Sequence, residues 1–162
     1  MAAQTGRTTF KHVNFQCDDS GGTLRTIPIN GLSVVGLVYD EVTDVIAWQD
    51  AVKSALPGQP DAPIEISGPF TNDAAAAAGT LSGSHTILSA IDGLMTPLTL
   101  DVQFGIRQAY TAGEPQFGIT ATAANGYICT SYTVDPATMT YSARFVLYPG
   151  SAAPAWGTAA ET

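Results

Sequence analysis

The sequence predicts a mainly β protein: an antiparallel sandwich or barrel with one flanking α-helix at about residues 84–94 and a long loop or hairpin at about 40–63. Three observations lead there. Short segments alternate apolar and polar residues with a period of two, most cleanly in Leu98–Arg107. Leu98, Leu100, Val102, Phe104 and Ile106 face one way there, and Thr99, Asp101, Gln103, Gly105 and Arg107 the other. Turn residues separate these segments, as in Asp18-Asp19-Ser20-Gly21-Gly22, Asn125-Gly126 and Asp135-Pro136. Convincing helical spacing occurs once, at Ile87, Leu88, Ile91 and Leu94, with Ser84 as the expected N-cap and Pro97 shortly beyond.

The elements follow in order. Phe10–Cys17 reads as the first strand, since Val13, Phe15 and Cys17 alternate with His12, Asn14 and Gln16. Asp18–Gly22 is a tight turn, because aspartates bond nearby backbone and glycines accept positive φ. Leu24–Pro28 and Gly31–Tyr39 resume the extended chain, the second as an apolar run suited to burial on both faces. From Asp40 to Pro63 the pattern weakens, and Pro57, Gly58, Pro60 and Pro63 are expected to break regular structure. Pro63–Thr71 is the next strand. Asn72–Gly83 is an alanine- and glycine-rich loop whose five alanines, Ala74–Ala78, are too few to hold a helix. After the helix and Leu98–Arg107, strands are expected at Phe117–Ala123, Tyr127–Val134 and Thr138–Leu147. Residues 1–148 form one domain on this reading, and 149–162 a Pro/Gly/Ala-rich tail. Trp156 is that tail's one large residue, either dispensable or an anchor onto a neighbour.

Composition narrows the function. With 162 residues, 45% hydrophobic and 12% charged, the chain folds as a single core rather than staying disordered. So little charge favours association between copies. The net charge is −8 and the six Lys and Arg are scattered, which argues against tight binding to nucleic acid. Two cysteines, Cys17 and Cys129, make no disulfide framework and read as buried thiols; their pairing is left open. Met1–Thr9 lacks the apolar core of a signal peptide, and no apolar run reaches the ~20 residues of a membrane span. A cytoplasmic origin and no membrane partner are expected.

Catalytic apparatus is not expected. His12 and His85 lack zinc-site spacing. Asp18-Asp19 and Asp40-Glu41 are adjacent pairs that point to opposite faces of a strand. The turn pair could cap backbone or bind a cation, and no spaced oxygen ligands support the cation. No cofactor, metal or catalytic residue is assigned. Trp48, Tyr110, Phe117, Tyr127, Tyr132 and Tyr141 could make a sugar platform, and they also fit as core and cross-strand pairs.

The chain also resembles the tail tube proteins (major tail proteins) of long-tailed bacteriophages. The resemblance is carried by Asp18–Ile27 with the strand to Leu37, by Ser54–Pro63 running into Ile64–Phe70, by the helix and the strand Leu98–Gly105, and by Tyr127–Tyr132 and Thr140–Leu147. It covers about residues 8–148 through order and spacing rather than one motif. Ile106–Pro115 is not distinctive, and the tail has no counterpart. The resemblance implies a virion structural subunit, not an enzyme, assembled in the host cytoplasm. Sixfold rings would stack into a tube through which DNA passes without tight binding, with tape measure, terminator and tip proteins as further partners. On that reading Asp18, Asp19, Glu65 and Asp101 are candidates to face the channel. Val42, Val45, Ile46, Trp48 and Leu56 are candidates for contact between rings, and Trp156 for an anchor. Capsid decoration (cement) or head–tail joining proteins share related folds, and a carbohydrate-binding sandwich is a further alternative.

Overall fold

The computed structural model describes residues 10–41, 57–77, 79–105 and 113–158. Among the described residues, eleven strands and one α-helix, preceded by a 3-10 turn at Phe10–His12 where a strand was expected, make an antiparallel sandwich of two open sheets beside a two-stranded ribbon. The first sheet, in the order β11-β8-β7-β1-β2, joins β1 (Val13–Asp18), β2 (Leu24–Ile27), β7 (Leu100–Phe104), β8 (Pro115–Ile119) and β11 (Ala155–Thr158). The second, β3-β6-β10-β9, joins β3 (Gly31–Leu32), β6 (Ile64–Pro69), β9 (Tyr127–Asp135) and β10 (Thr140–Leu147). The ribbon pairs β4 (Val38–Glu41) with β5 (Pro57–Asp61).

The core lies between the sheets. Register sets Phe15 opposite Val102 and Val102 opposite Phe117, so one inward row crosses the first sheet. Ile64, Ile66, Tyr141, Ala143 and Phe145 come from the second, and the Phe15 and Phe145 rings meet with centroids 5.6 Å apart. Each such aromatic or branched side chain removed from water contributes about 1.5–3 kcal/mol. Two buried tyrosines also satisfy their hydroxyls. Tyr127 donates to the Ala62 carbonyl at 2.9 Å and Tyr141 to the Pro28 carbonyl at 2.7 Å.

The helix α1 (Ser84–Ile91) buries Ile87, Leu88 and Ile91 and packs beside β9. It differs from its expected form at both ends. Gly83 occupies the N-cap position without a side-chain bond. The Ser84 hydroxyl instead ties the strand before it, donating to the Pro69 carbonyl at 2.9 Å and accepting the Thr71 N–H at 3.0 Å. At the other end Gly93 takes φ +73°, the left-handed conformation that stops helices, so Leu94 falls outside.

Other expectations are corrected by the fold. Gly31–Tyr39 is not one buried strand. Only Gly31 and Leu32 join the second sheet, Val38 and Tyr39 pair instead in the ribbon, Val34 is 87% exposed and Val38 57%, and the left-handed Gly36 (φ +140°) breaks the run. Pro57 and Pro60 do not abolish regular structure, because β5 pairs on one side only and a missing N–H costs nothing along an open edge. The segment read as a tail contributes β11, which pairs Ala155–Thr158 with Gly118–Pro115.

Candidate functional site

The four acidic candidates lie in two separate places. At the β1–β2 turn, Asp19 accepts the N–H groups of Gly21 at 2.9 Å and Thr23 at 3.0 Å, and pairs with the Arg25 Nε at 2.8 Å. Arg25 also donates to the Ala76 carbonyl at 2.6 Å, fastening the turn to the 71–83 loop. Partial burial pushes the Asp19 carboxyl up, but the bonds from Thr23, Arg25 and Gly21 and the Arg25 charge outweigh it and hold the group below its ordinary value. Asp19 therefore serves the turn, and Gly22 supplies the positive φ (+77°) that the reversal needs.

Asp18 and Asp101 sit on the back of the first sheet, turned away from the core, and both are buried. Asp18 accepts the Thr99 N–H at 2.8 Å. Asp101 lies over Gly118, where a Cβ would collide with its carboxylate and with the Leu100 carbonyl. Burial, with the Asp18 charge adding to it, raises the Asp101 carboxyl above its ordinary value despite a bond from Gln116. Glu65 is exposed on the outer face of the other sheet, 3.6 Å from Arg144. Asp18, Asp19 and Asp101 thus belong to one sheet and its turn, and Glu65 stands apart from them.

The back of the first sheet carries a polar ladder that sequence reading did not find. Asn14 donates to Gln103 at 2.8 Å, Gln103 to Gln16 at 2.9 Å, and Gln16 to the Thr26 hydroxyl at 3.0 Å. Gln16, Thr26 and Gln103 are all less than 5% exposed. Alternation placed these residues opposite the core, and it carries no information on whether that second face is covered.

Val42, Val45, Ile46, Trp48 and Leu56, the inter-ring candidates, lie outside the described residues, between β4 and β5. Trp156 is described. Its indole packs on Phe117 at 5.1 Å and Phe104 at 5.6 Å, extending the inward row to the edge of the sheet, yet it stays 55% exposed. It therefore contacts its own subunit. Of the aromatic platform candidates, Phe117, Tyr127 and Tyr141 are fully buried, Tyr132 is half-buried against His85, and Trp48 and Tyr110 lie outside the described residues. The described members make core, not a sugar-binding face.

Two hollows mark the outer surface of the second sheet. A shallow trough of about 530 Å3 is lined by Ser33, Ser67, Ser131, Ser142, Glu65 and Arg144. Beside it, a mostly apolar hollow of about 290 Å3 is lined by Val34, Gly36, Val38 and Pro63. Among the described residues, no three His, Cys, Asp or Glu side chains gather to hold a metal ion. Nor is any helix there long and apolar enough to cross a membrane. Cys17 and Cys129 are both buried and unpaired. Burial, with the charges of Cys129, Asp18 and Asp19 adding to it, raises the Cys17 thiol well above its ordinary value, and burial, with the Asp92 charge adding to it, lifts Cys129 to about 11.

No protein-family model matches the chain, and no curated protein is similar to it. Among solved structures, the fold is similar to the sheath/tube terminator of an extracellular contractile injection system (PVC) in its extended state, seen by cryo-electron microscopy. The TM-score is 0.55, and the match covers 96% of this chain and 99% of the terminator, at 11% sequence identity. The two chains share a fold over nearly their whole lengths.

Proposed function

We propose that this chain is a structural subunit of a phage-tail-like particle, and that it assembles with its own copies into a ring at the end of a tail tube. The observation that carries this reading is the end-to-end likeness of fold to a sheath/tube terminator, with no large insertion on either side. Chain chemistry supports it. Only 12% of the residues are charged, and large apolar side chains such as Val34, Val38 and Trp156 stand exposed, the last on an open strand edge, as suits a surface that copies cover. Neighbouring copies would join at such edges and leave none open.

A second reading is favoured by the order and spacing of segments from Asp18 to Leu147, which resemble tail tube proteins. On it, sixfold rings stack into a DNA-conducting tube, and the 42–56 segment between β4 and β5 makes the contact between rings. The acidic balance fits a lumen that DNA crosses without adhering.

Negative-stain imaging of the purified full chain separates the two. Single rings that do not elongate as concentration rises are expected for a terminator, and long tubes for a tube subunit. Monomers at every concentration would sink both.

A further inference from the structure

We propose that the open edge of β11, centred on Trp156, is a subunit contact, and that its occupant is the free half of β9, Ser131–Asp135, of a second copy. The proposal rests on the self-assembly reading above and names the surfaces that would carry it.

Strand edges present rows of unpaired N–H and C=O groups, and proteins usually blunt them with charge, proline, shortness or a covering segment. The edges of this fold can be sorted on that basis. On β2, the edge is closed by the 71–83 loop, where the Ser82 N–H donates to the Thr26 carbonyl and Leu81 bridges Thr26. With two residues, β3 is short. Pro57 and Pro60 stand in β5, and β4 ends in Asp40 and Glu41. The near half of β9 is occupied, since Gly93 donates to the Cys129 carbonyl and Asp92 bridges Cys129.

Two lengths have neither a proline nor a covering segment among the described residues, and both run longer than β3. One is β11, Ala-Trp-Gly-Thr, uncharged and exposed at all four positions. The other is Ser131–Asp135, which pairs only with β10 and is charged only at its last residue. With four and five residues they offer enough backbone to pair, and the β9 half supplies Tyr132, Thr133 and Val134, residues suited to cross-strand packing.

An apolar surface continues from the β11 edge. A Cβ at Gly36 would stand 4.0 Å from the Trp156 Nε1, and Gly36 also lines the hollow formed with Val34, Val38 and Pro63, to which Ser33, Glu65 and Arg144 add polar lining. Val34, Val38 and Trp156 are each more than half exposed. A large half-exposed aromatic beside an apolar hollow is the composition of an interface centre.

The two lengths lie on opposite flanks. Trp156 meets Gly36, just beyond β3, while β9 is the far edge of the sheet that β3 begins. One copy cannot satisfy both, but a head-to-tail neighbour can. Such a contact runs the first sheet of one copy into the second sheet of the next, and it closes into a ring when the rotation permits.

The test uses the full chain. A Cβ at Gly157 meets nothing within 4 Å, so Gly157→Lys sets a charge on the edge without a clash. Its expected effect is loss of assembly in native mass spectrometry, with near-UV circular dichroism unchanged, and Trp156→Ala should weaken association on the order of tenfold or more. Assembly by Gly157→Lys at wild-type concentration overturns the edge proposal and leaves the ring reading standing. A second measurement mixes Gly157→Cys chains with Thr133→Cys chains and adds a short bis-maleimide. Mixed covalent dimers are expected, and neither chain alone should give them. Such dimers without rings would keep the edge contact and reject the ring. Absence of mixed dimers, when both cysteines react with a monofunctional maleimide, overturns the pairing.

Discussion

Asp101 shows how one side chain is held in an unfavourable state by its surroundings. Gly118 leaves room for its carboxylate, Gln116 gives it one bond, and burial and Asp18 oppose its charge. An acid whose folded-state value is raised favours the native state fully below its unfolded value, ~3.9. That contribution is lost as pH rises through the raised folded value. Asp19 has the opposite sign: its lowered value favours folding above the unfolded value and ceases to do so as pH falls through the folded one. Asp101→Asn keeps the shape and removes the charge. It should raise the thermal midpoint at neutral pH relative to wild type and show no such gain below the unfolded value of the acid. A midpoint lower than wild type at pH 7 would mean that the charged form has a partner worth more than the cost of its burial.

The two cysteines make a second test at this scale. Both thiols are buried and shifted toward the protonated form, so a thiol reagent at neutral pH should label neither in the folded chain. Both should react at once in denaturant. Labelling of one thiol in native buffer would show that its sheet opens locally.

At the scale of elements, the strands were readable wherever apolar side chains alternate with polar ones. Leu98, Leu100 and Val102 alternate and are all buried, as expected. The 84–94 helix was found through its apolar stripe, and its ends were missed because they depend on partners distant in sequence. Ser84 is spent on Pro69 and Thr71, and the stop comes from Gly93 turning toward Cys129. Ser84→Ala removes a buried hydroxyl that serves both strand and helix, leaving the Pro69 carbonyl and the Thr71 N–H with fewer bonds. A loss of about 1–3 kcal/mol is expected in denaturant titration. A change below about 0.5 kcal/mol would place the helix start under the control of its apolar face alone. β11 was missed for a different reason. Four residues flanked by Pro, Gly and Ala carry too little alternation, and only Phe104 and Phe117 give Trp156 its place.

For the whole molecule, the mainly β class and antiparallel arrangement were legible in the sequence, and the assignment of strands to sheets was not. That assignment is fixed by contacts between distant segments, such as Phe15 with Phe145 and β1 with β7. The acidic candidates were chosen by charge alone, and charge does not reveal that Asp18 and Asp101 are covered. The apolar flank around Trp156 and Gly36 joins residues 34–38 to 156, which no local pattern connects. The fold is similar over nearly its whole length to that of a sheath/tube terminator, where the order and spacing of segments had resembled tail tube proteins.

The ladder from Asn14 through Gln103 and Gln16 to Thr26 bears on how the fold finds a single alignment. Sliding a strand by one residue would turn its apolar side chains outward and is strongly excluded. A slide by two is different: it keeps every apolar residue inside and could pass unnoticed by the core. Only the reverse face can tell the two alignments apart, because four polar groups meet in one of them and are stranded in the other. The apolar side of the sheet makes the chain collapse, and the amides behind it work as a vernier that reads off the correct position.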